Sequence, residues 1–167
     1  ANDTNTACLK YFDLDKFPIQ GEYPNWNNFM SQFRNASAKD VFMAWVYSVF
    51  KAKNQGSQIL WMHDGGGSGK SSVIKALHHY LENSLGSLND TNMNSEFGLE
   101  TVAGKRLVVN ADCKKPSMIH SQILHSLSTG DPTSINKKHR SMYTSKVYAK
   151  VLICSNSAPN LHTNEYN

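Results

Sequence analysis

Apolar residues in the amino-terminal part of the chain recur at helical spacing. The segment "SAKDVFMAWVYSVFKAK" predicts a helix that Ser37 caps, because four apolar residues share one of its faces: Phe42, Trp45, Val46 and Val49. The preceding "PNWNNFMSQF" predicts a shorter helix. We expect the apolar face of the longer helix to pack on the body of the domain.

From residue 55 onward, short apolar runs alternate with helical segments. Three runs bounded by turn residues predict buried strands: "QILWM", "KRLVVNA" and "KVLICSN". Ser71 to about Leu85 and "PSMIHSQILHSLS", which Pro116 opens, predict the helices between these strands, and "NSLGSLNDTNMNSE" predicts a loop. This order predicts an α/β domain with a mostly parallel sheet and helices on both faces.

A chain of 167 residues fits a single domain, in which we distinguish three ranges. We expect residues 1–23 to form an irregular lead-in or an upstream linker. Residues 24–54 are expected to form a small helical segment, and residues 55–167 the core.

Charge and cysteine content narrow the function classes only slightly. A formal net charge of +4 suits a polyanionic partner without requiring one. The cysteines Cys8, Cys113 and Cys154 are far apart and lack metal-ligand spacing, so we expect neither a disulfide framework nor a zinc site. We see no charged leader and no apolar run of the roughly 20 residues that cross a bilayer. An intracellular protein that is neither secreted nor membrane-bound is therefore expected.

The strongest functional signal is "DGGGSGKSS", which follows a predicted strand and opens a predicted helix. Glycines let backbone amides converge on phosphate oxygens, and the helix start adds partial positive charge. Lys70 would neutralise the β and γ phosphates of ATP, and the Ser71 hydroxyl would ligate Mg²⁺. The predicted nucleotide-binding residues are Gly65, Gly66, Gly67, Ser68, Gly69, Lys70, Ser71 and Ser72.

The loop departs from the GxxxxGK[S/T] pattern at one position, where Asp64 replaces the first glycine. Aspartate tolerates tight-turn geometry, but its carboxylate must point away from bound phosphates because repulsion would weaken binding. The alternative interpretation is a glycine-rich turn with an incidental lysine.

Polar residues that end the other two strands are further site candidates. Asp112 could hold Mg²⁺ through water, or it could simply cap a turn. The amide of Asn156, which follows Ser155, could orient the attacking water or sense the γ phosphate, or it could be an ordinary turn residue.

Between the last predicted helix and strand lies a polar insert, "STGDPTSINKKHRSMYTSK". Its basic residues Lys137, Lys138 and Arg140, with Tyr143 nearby, could form a basic hairpin that follows a nucleic-acid backbone. A solvated charged loop is the alternative.

The order of "DGGGSGKSS", "AGKRLVVNADC", "ILHSLSTGDP" and "KVLICSNSAPNL" resembles motifs A, B, B′ and C of superfamily 3 helicases. The similarity is specifically to the primase-helicases of large DNA viruses, virophages, phages and plasmids, and it covers roughly residues 24–160. Motif C, with Pro159 three residues after its Ser-Asn pair, is the most specific element.

This resemblance implies a P-loop NTPase fold of the AAA+ type, a three-layer sandwich, that works as an ATPase and DNA helicase in replication. It implies ATP and Mg²⁺ on Lys70 and Ser71, Asp112 as the motif B acid and Asn156 as the sensor. It also implies that Lys137, Lys138 or Arg140 faces DNA, and that the chain forms a homo-oligomer, usually a hexameric ring. Single-stranded or forked DNA is the implied partner, and an upstream primase domain is possible.

Two features of this family are not matched. Asp112 is followed by Cys113 and two lysines, so either Asp112 also serves as the base through water, or a distant acid such as Asp131 or Glu100 contributes. The arginine finger is expected beyond motif C, yet no arginine follows Arg140, so we expect the full protein to continue.

The sequence therefore predicts a superfamily 3 helicase motor for a viral or mobile-element genome. An ATP-binding nucleic-acid or assembly module with little turnover is the alternative. A small-molecule kinase ranks third, because no arginine-rich lid segment follows the second strand.

Overall fold

The computed structural model describes residues 23–50, 58–92, 98–114, 122–136 and 141–160. The helices in these ranges are α1 (Pro24–Ser31), α2 (Ala36–Phe50), α3 (Lys70–Leu81) and α4 (Gln122–Thr129). The strands are β1 (Ile59–His63), β2 (Leu85–Ser87), β3 (Leu107–Cys113), β4 (Pro132–Ile135), β5 (Tyr143–Lys146) and β6 (Lys150–Ser155). Short 3-10 turns cover Glu82–Ser84 and Gly98–Thr101.

Four of the strands form a sheet in the order β1-β6-β3-β2, in which every neighbouring pair is parallel. The last strand in the chain, β6, lies between β1 and β3, and Val151 pairs with both Ile59 and Val108. All residues of β6 are buried, as expected for a parallel strand covered on both faces. Because the four strands run in the same direction, their last residues meet along one edge of the sheet, which we call the carboxyl edge.

Alternate residues of the central strands face two separate apolar clusters. Leu107, Val109, Leu152 and Cys154 pack with side chains from α1, α2 and α3. Val108, Val151 and Ile153 pack with side chains from α4 and β4 on the opposite side. The predicted α/β class, with a parallel sheet and helices on both faces, is confirmed.

The strand β2 was not predicted, because its sequence Leu-Gly-Ser lies in the segment expected to be a loop. Glycine is unfavourable in most strands, yet Gly86 fits here for a steric reason. A Cβ atom on Gly86 would lie 3.1 Å from the carbonyl oxygen of Thr101 and 3.0 Å from Cγ of Lys105. The close approach of Thr101 and Lys105 therefore requires glycine at position 86. The same glycine is the reason why the sequence pattern does not indicate a strand here.

The helix α2 is present, with Phe42, Trp45 and Val49 buried as predicted, but its cap differs from the prediction. The helix begins at Ala36, and Oδ1 of Asn35 accepts a hydrogen bond of 2.8 Å from the backbone N–H of Ala38. Asn35 therefore fills the N-cap position, where its side chain satisfies an N–H group of the first turn. Ser37, the expected cap, lies inside the helix.

The polar insert contains a two-stranded antiparallel hairpin, in which β4 pairs with β5 and Ile135 lies opposite Tyr143. The predicted hairpin is therefore present. Its basic residues Lys137, Lys138 and Arg140 lie outside the described residues, so their role in DNA binding stays a prediction.

Several other expectations fall outside the described ranges. They concern the lead-in over most of residues 1–23, the start of the predicted helix at Pro116, and the residues after position 160. Within the described ranges, none of the helices has the length and apolar character needed to cross a membrane.

We predict that Asn35→Ala lowers the free energy of unfolding by about 1 kcal/mol, because the mutation removes the side-chain acceptor at the start of α2. Chemical denaturation of the purified protein measures this difference. Ser37→Ala is the matched control and should change stability by less than about 0.5 kcal/mol, since Ser37 is exposed and is not the cap. Equal losses in the two variants would contradict the assignment of the cap to Asn35.

Candidate nucleotide-binding site

The glycine-rich loop connects the end of β1 to the start of α3 at the carboxyl edge. Gly66, Gly67 and Gly69 have φ angles of 120°, 76° and 86°, a region that residues with a Cβ rarely adopt. A Cβ on Gly66 or Gly67 would meet no atom of the described residues within 4 Å, so the backbone conformation rather than packing there requires these glycines. The outer side of the loop is thus open for close approach to its backbone.

The start of α3 follows this loop directly, and a Cβ on Gly69 would lie 3.0 Å from the ring of Phe29. Gly69 occupies the N-cap position and has no side chain with which to cap the helix. Its carbonyl oxygen accepts hydrogen bonds from Ser72 and Val73 at 2.9 and 3.0 Å, which closes the first turn. The first N–H groups of a helix lack intrahelical acceptors and carry partial positive charge, so this end of α3 is suited to an anion.

The ammonium group of Lys70 folds back over the loop. Its Nζ atom donates a 3.0 Å hydrogen bond to the carbonyl oxygen of Asp64 and lies 3.5 Å from Oγ of Ser68. The Lys70 side chain is only 13% exposed, which fixes its charge next to the loop backbone. Lys70, the predicted phosphate-binding lysine, therefore lies against the glycine-rich loop.

The carboxylate of Asp64 points into the loop, contrary to the requirement derived from the sequence. Its Oδ1 atom accepts a 2.7 Å hydrogen bond from the backbone N–H of Gly66 and lies 3.9 Å from Nζ of Lys70. Aspartate side chains commonly bond to the backbone two residues ahead, which stabilises a turn. The turn therefore forms although Asp64 replaces the first glycine of the GxxxxGK[S/T] pattern, and Asp64 places a negative charge within it.

Asp112 lies at an irregularity in β3. Asn110 pairs with Ile153 and Cys113 with Ser155, so three steps on β3 match two steps on β6. A bulge of this kind changes the direction of side chains near the end of a strand. The Asp112 side chain is 66% exposed, and its 3.7 Å ion pair with Lys114 is exposed too, so this pair contributes little stability.

A residue that sequence reasoning missed, Asp90, holds the chain around this bulge. Its carboxylate accepts hydrogen bonds of 3.1 Å from Nδ2 of Asn110 and from the backbone N–H of Lys114. Oδ1 of the buried Asn110 faces the backbone N–H of Asp112 at 3.3 Å. Asn110 was the available signal, because a polar side chain inside an apolar strand needs a partner.

The end of β6 is tied to β1 through Ser155. The indole N–H of Trp61 donates a 2.7 Å hydrogen bond to Oγ of Ser155, whose hydroxyl in turn donates to the carbonyl oxygen of Ser157. The carbonyl oxygen of Ser155 accepts a 3.3 Å hydrogen bond from the backbone N–H of Asp64. These contacts hold the exposed Asn156 beside the glycine-rich loop.

A cavity of about 610 Å³ lies between the carboxyl edge and the segment that joins α1 to α2. Its wall includes Lys70, Asp64 and Asn156 on one side and Phe29, Phe33 and Arg34 on the other. The rings of Phe29, Phe33 and Phe42 form an aromatic cluster with centroid distances of 5.1 to 5.6 Å. This volume is typical of small-molecule sites, which combine apolar walls with a few polar groups.

The two distant acids considered as catalytic bases do not line this cavity, and neither do the predicted Mg²⁺ contacts Ser71 and Asp112, which lie at the carboxyl edge. Glu100 lies in the 3-10 turn Gly98–Thr101, and the carboxylate of Asp131 accepts a 2.6 Å hydrogen bond from the hydroxyl of Thr129. Neither position supports Glu100 or Asp131 as the base at this edge.

Cys154 lies in β6 near the loop. Burial raises the pKa of its thiol to about 11, partly offset by the positive charge of Lys70, so the thiol is neutral and serves as a packing group. Among the described residues, no group of three or more His, Cys, Asp or Glu side chains could hold a metal ion. Ser71 and Asp112 remain predicted Mg²⁺ contacts that would act together with a nucleotide.

The fold resembles solved structures of the C-terminal region of NrS-1. One apo structure superposes with a TM-score of 0.73 at 18% identity, covering 92% of this chain and 39% of that one. Two A-form apo structures give TM-scores of 0.72 and 0.69 at 19% and 20% identity, covering 92% and 88% of this chain. The chain spans only 37% to 39% of the length of these proteins. At this identity the similarity establishes the fold alone.

No curated protein sequence matches the chain. The model of DUF5906, a family of unknown function, matches residues 62–167. This range is more than half of the 167 residues and includes the glycine-rich loop, Asp112 and Asn156. The chain therefore belongs to the DUF5906 family.

Proposed function

We propose that the glycine-rich loop binds the phosphates of ATP, and that the chain is the ATPase motor domain of a superfamily 3 DNA helicase. The observation that carries this proposal is the combination of Lys70 with a start of α3 whose N-cap residue is Gly69, at the end of a glycine turn. A P-loop needs both features, since backbone N–H groups hold the phosphate oxygens and a lysine neutralises their charge.

The arrangement of the strands supports a nucleotide site rather than an isolated glycine turn. Because β6 lies between β1 and β3, the strand ends that carry Asp64, Asn156 and Asp112 are neighbours. Adjacent strands are about 4.8 Å apart, so Asp112 is roughly 10 Å across the edge from the end of β1. This separation suits a carboxylate that acts through water on the metal of a bound nucleotide.

The donor set also fits Mg²⁺, which prefers oxygen ligands and retains several waters. The Ser71 hydroxyl in the first turn of α3 and the Asp112 carboxylate at the end of β3 would hold the ion. When bound, Mg²⁺ neutralises charge that develops on the phosphates during transfer. The backbone N–H groups at the start of α3 and the Lys70 side chain would orient the phosphates.

The cavity beside the loop supports binding of the rest of the nucleotide. Its volume of about 610 Å³ accommodates a nucleotide, and the rings of Phe29 and Phe33 offer an apolar wall for a base. In hydrolysis, water adds to the γ phosphorus while the bond to the β phosphate oxygen breaks, which releases ADP and phosphate. We assign Asn156 to the orientation of that water, because it borders the cavity together with Lys70.

The helicase part of the proposal rests on the order of the motifs and on their resemblance to superfamily 3. We propose that the motor acts on single-stranded or forked DNA as a ring, usually a hexamer, during replication of a viral or mobile-element genome. An upstream primase domain fits this assignment. The fold similarity to the NrS-1 C-terminal region is compatible with a domain of this type.

A second function, an ATP-binding assembly module with little turnover, is favoured by one observation. The carboxylate of Asp90 accepts two hydrogen bonds, and Asp112, which is 66% exposed, is already assigned to Mg²⁺. A general base is therefore not evident among the described residues of the site.

We predict that Lys70→Ala weakens ATP binding roughly 10- to 100-fold, because it removes a charged donor from the phosphates. Isothermal titration of the full-length protein with Mg²⁺ and ATP measures this change. Lys75→Ala is the matched control, since Lys75 is an exposed lysine on the same helix and its loss should leave affinity unchanged. Unaltered ATP affinity in Lys70→Ala would refute the phosphate-binding role of the loop.

We predict that Asn156→Ala lowers the ATP turnover rate by about 100-fold while it changes ATP affinity little, because the amide acts on the attacking water. Steady-state phosphate release and equilibrium binding separate these two effects. Asn160→Ala is the control, as Asn160 is exposed and does not line the cavity. A parallel loss of affinity and turnover would instead make Asn156 a general binding residue.

We predict that single-stranded DNA accelerates ATP hydrolysis by the full-length protein, since a motor couples the two ligands through its cycle. The steady-state ATPase rate with and without an oligonucleotide measures the coupling, and Lys70→Ala should abolish both rates. ATP binding without DNA-sensitive turnover would contradict the motor and support the assembly module.

A further inference from the structure

Asp64 engages both kinds of group that the loop offers to a phosphate. Its Oδ1 atom accepts the N–H of Gly66 at 2.7 Å, and the same atom lies 3.9 Å from the ammonium nitrogen of Lys70. A backbone N–H and a lysine are the ligands that a phosphate loop uses. The carboxylate therefore lies among the groups assigned to a phosphate oxygen.

We propose that Asp64 is an internal anion of the loop, which a bound phosphate must displace and which thereby lowers the affinity of the loop for phosphate ligands. The inference rests on the proposed nucleotide site. It adds a residue that sets affinity at the position where the P-loop pattern has a glycine.

Displacement requires movement of the side chain only. The backbone of Asp64 is held on both sides, because its N–H donates to the carbonyl oxygen of Ser155 and its carbonyl oxygen accepts from Nζ of Lys70. The Asp64 side chain is 43% exposed, so rotation about χ1 can carry the carboxylate into solvent. Lys70 keeps its hydrogen bond to the backbone oxygen during this exchange and stays next to the loop.

The exchange imposes the same cost on each ligand that places a phosphate at this position. An inorganic phosphate ion gains little beyond the contacts that the carboxylate gives up, so its net affinity is low. A triphosphate also reaches the N–H groups at the start of α3 and carries Mg²⁺, so its total affinity is higher although the same cost is subtracted. Asp64 should therefore weaken binding of inorganic phosphate and of Mg²⁺-ATP by a similar factor.

The test is a set of equilibrium titrations with inorganic phosphate and with Mg²⁺-ATP on the full-length protein. Asp64→Asn is the informative variant, because its amide oxygen can still accept the Gly66 N–H while the negative charge is lost. Asp64→Gly restores the glycine of the pattern. Asp40→Asn is the matched control, since it removes the same charge from an exposed position on α2.

We expect Asp64→Asn and Asp64→Gly to bind inorganic phosphate roughly tenfold more tightly than the wild-type chain does, as expected when a nearby like charge is removed. The gain for Mg²⁺-ATP should be of similar size, and Asp40→Asn should match wild type for both ligands.

Two further results would overturn the inference in distinguishable ways. In the first, wild type binds ATP, but the Asp64 variants bind inorganic phosphate no more tightly than wild type does. This result overturns the role of Asp64 and leaves the nucleotide site intact. Failure of the folded wild type and both variants to bind ATP overturns the proposed function and the inference together. Circular dichroism of each variant establishes that it is folded.

Discussion

The insertion of β6 between β1 and β3 is the constraint on which the candidate site depends. Parallel pairing on both sides of β6 brings residues that are far apart in the chain to one edge of the sheet. Ser155 then links the strands locally, because it contacts the Trp61 indole and the Asp64 backbone. Without this central strand, the glycine-rich loop and Asp112 would have no fixed relation.

The sequence predicted three strands of this sheet where burial alone decides structure, but it did not predict that β6 lies between β1 and β3. The strands β1, β3 and β6 are mostly buried or partly buried, and each is an apolar run in the sequence, which predicts its existence. Their parallel direction followed from the helices predicted between them. The strand β2 has no such signal, because its three residues include Gly86, which neighbouring chain segments demand for steric reasons. Asp90 was missed with it, since its partner Asn110 is distant in sequence and their contact follows from the pairing of β2 with β3.

Two predictions about polar side chains were wrong: the residue that caps α2 and the direction of the Asp64 carboxylate. Asn35 and Ser37 are both good caps, and only the position at which the chain enters α2 decides between them. Asp64 is a similar case, because its carboxylate could face solvent or the loop. The positions of Lys70 Nζ and of the Gly66 N–H favour a carboxylate that faces the loop. The sequence pattern does not give the position of either group.

The same contacts that make the loop a candidate phosphate site also explain why an acid is tolerated in it. Gathering an ammonium group and several N–H groups around one turn creates positive potential that costs stability unless an anion balances it. Asp64 supplies that balance within the chain, at a distance of 3.9 Å from Lys70. A loop organised in this way has the geometry for an anion before a ligand arrives. Its Gly66 N–H and Lys70 ammonium group, however, already interact with the carboxylate of Asp64. Under the proposed role of Asp64, the stability of the free loop and its affinity for phosphate are therefore opposed through one side chain, and the charge at position 64 sets the balance between them.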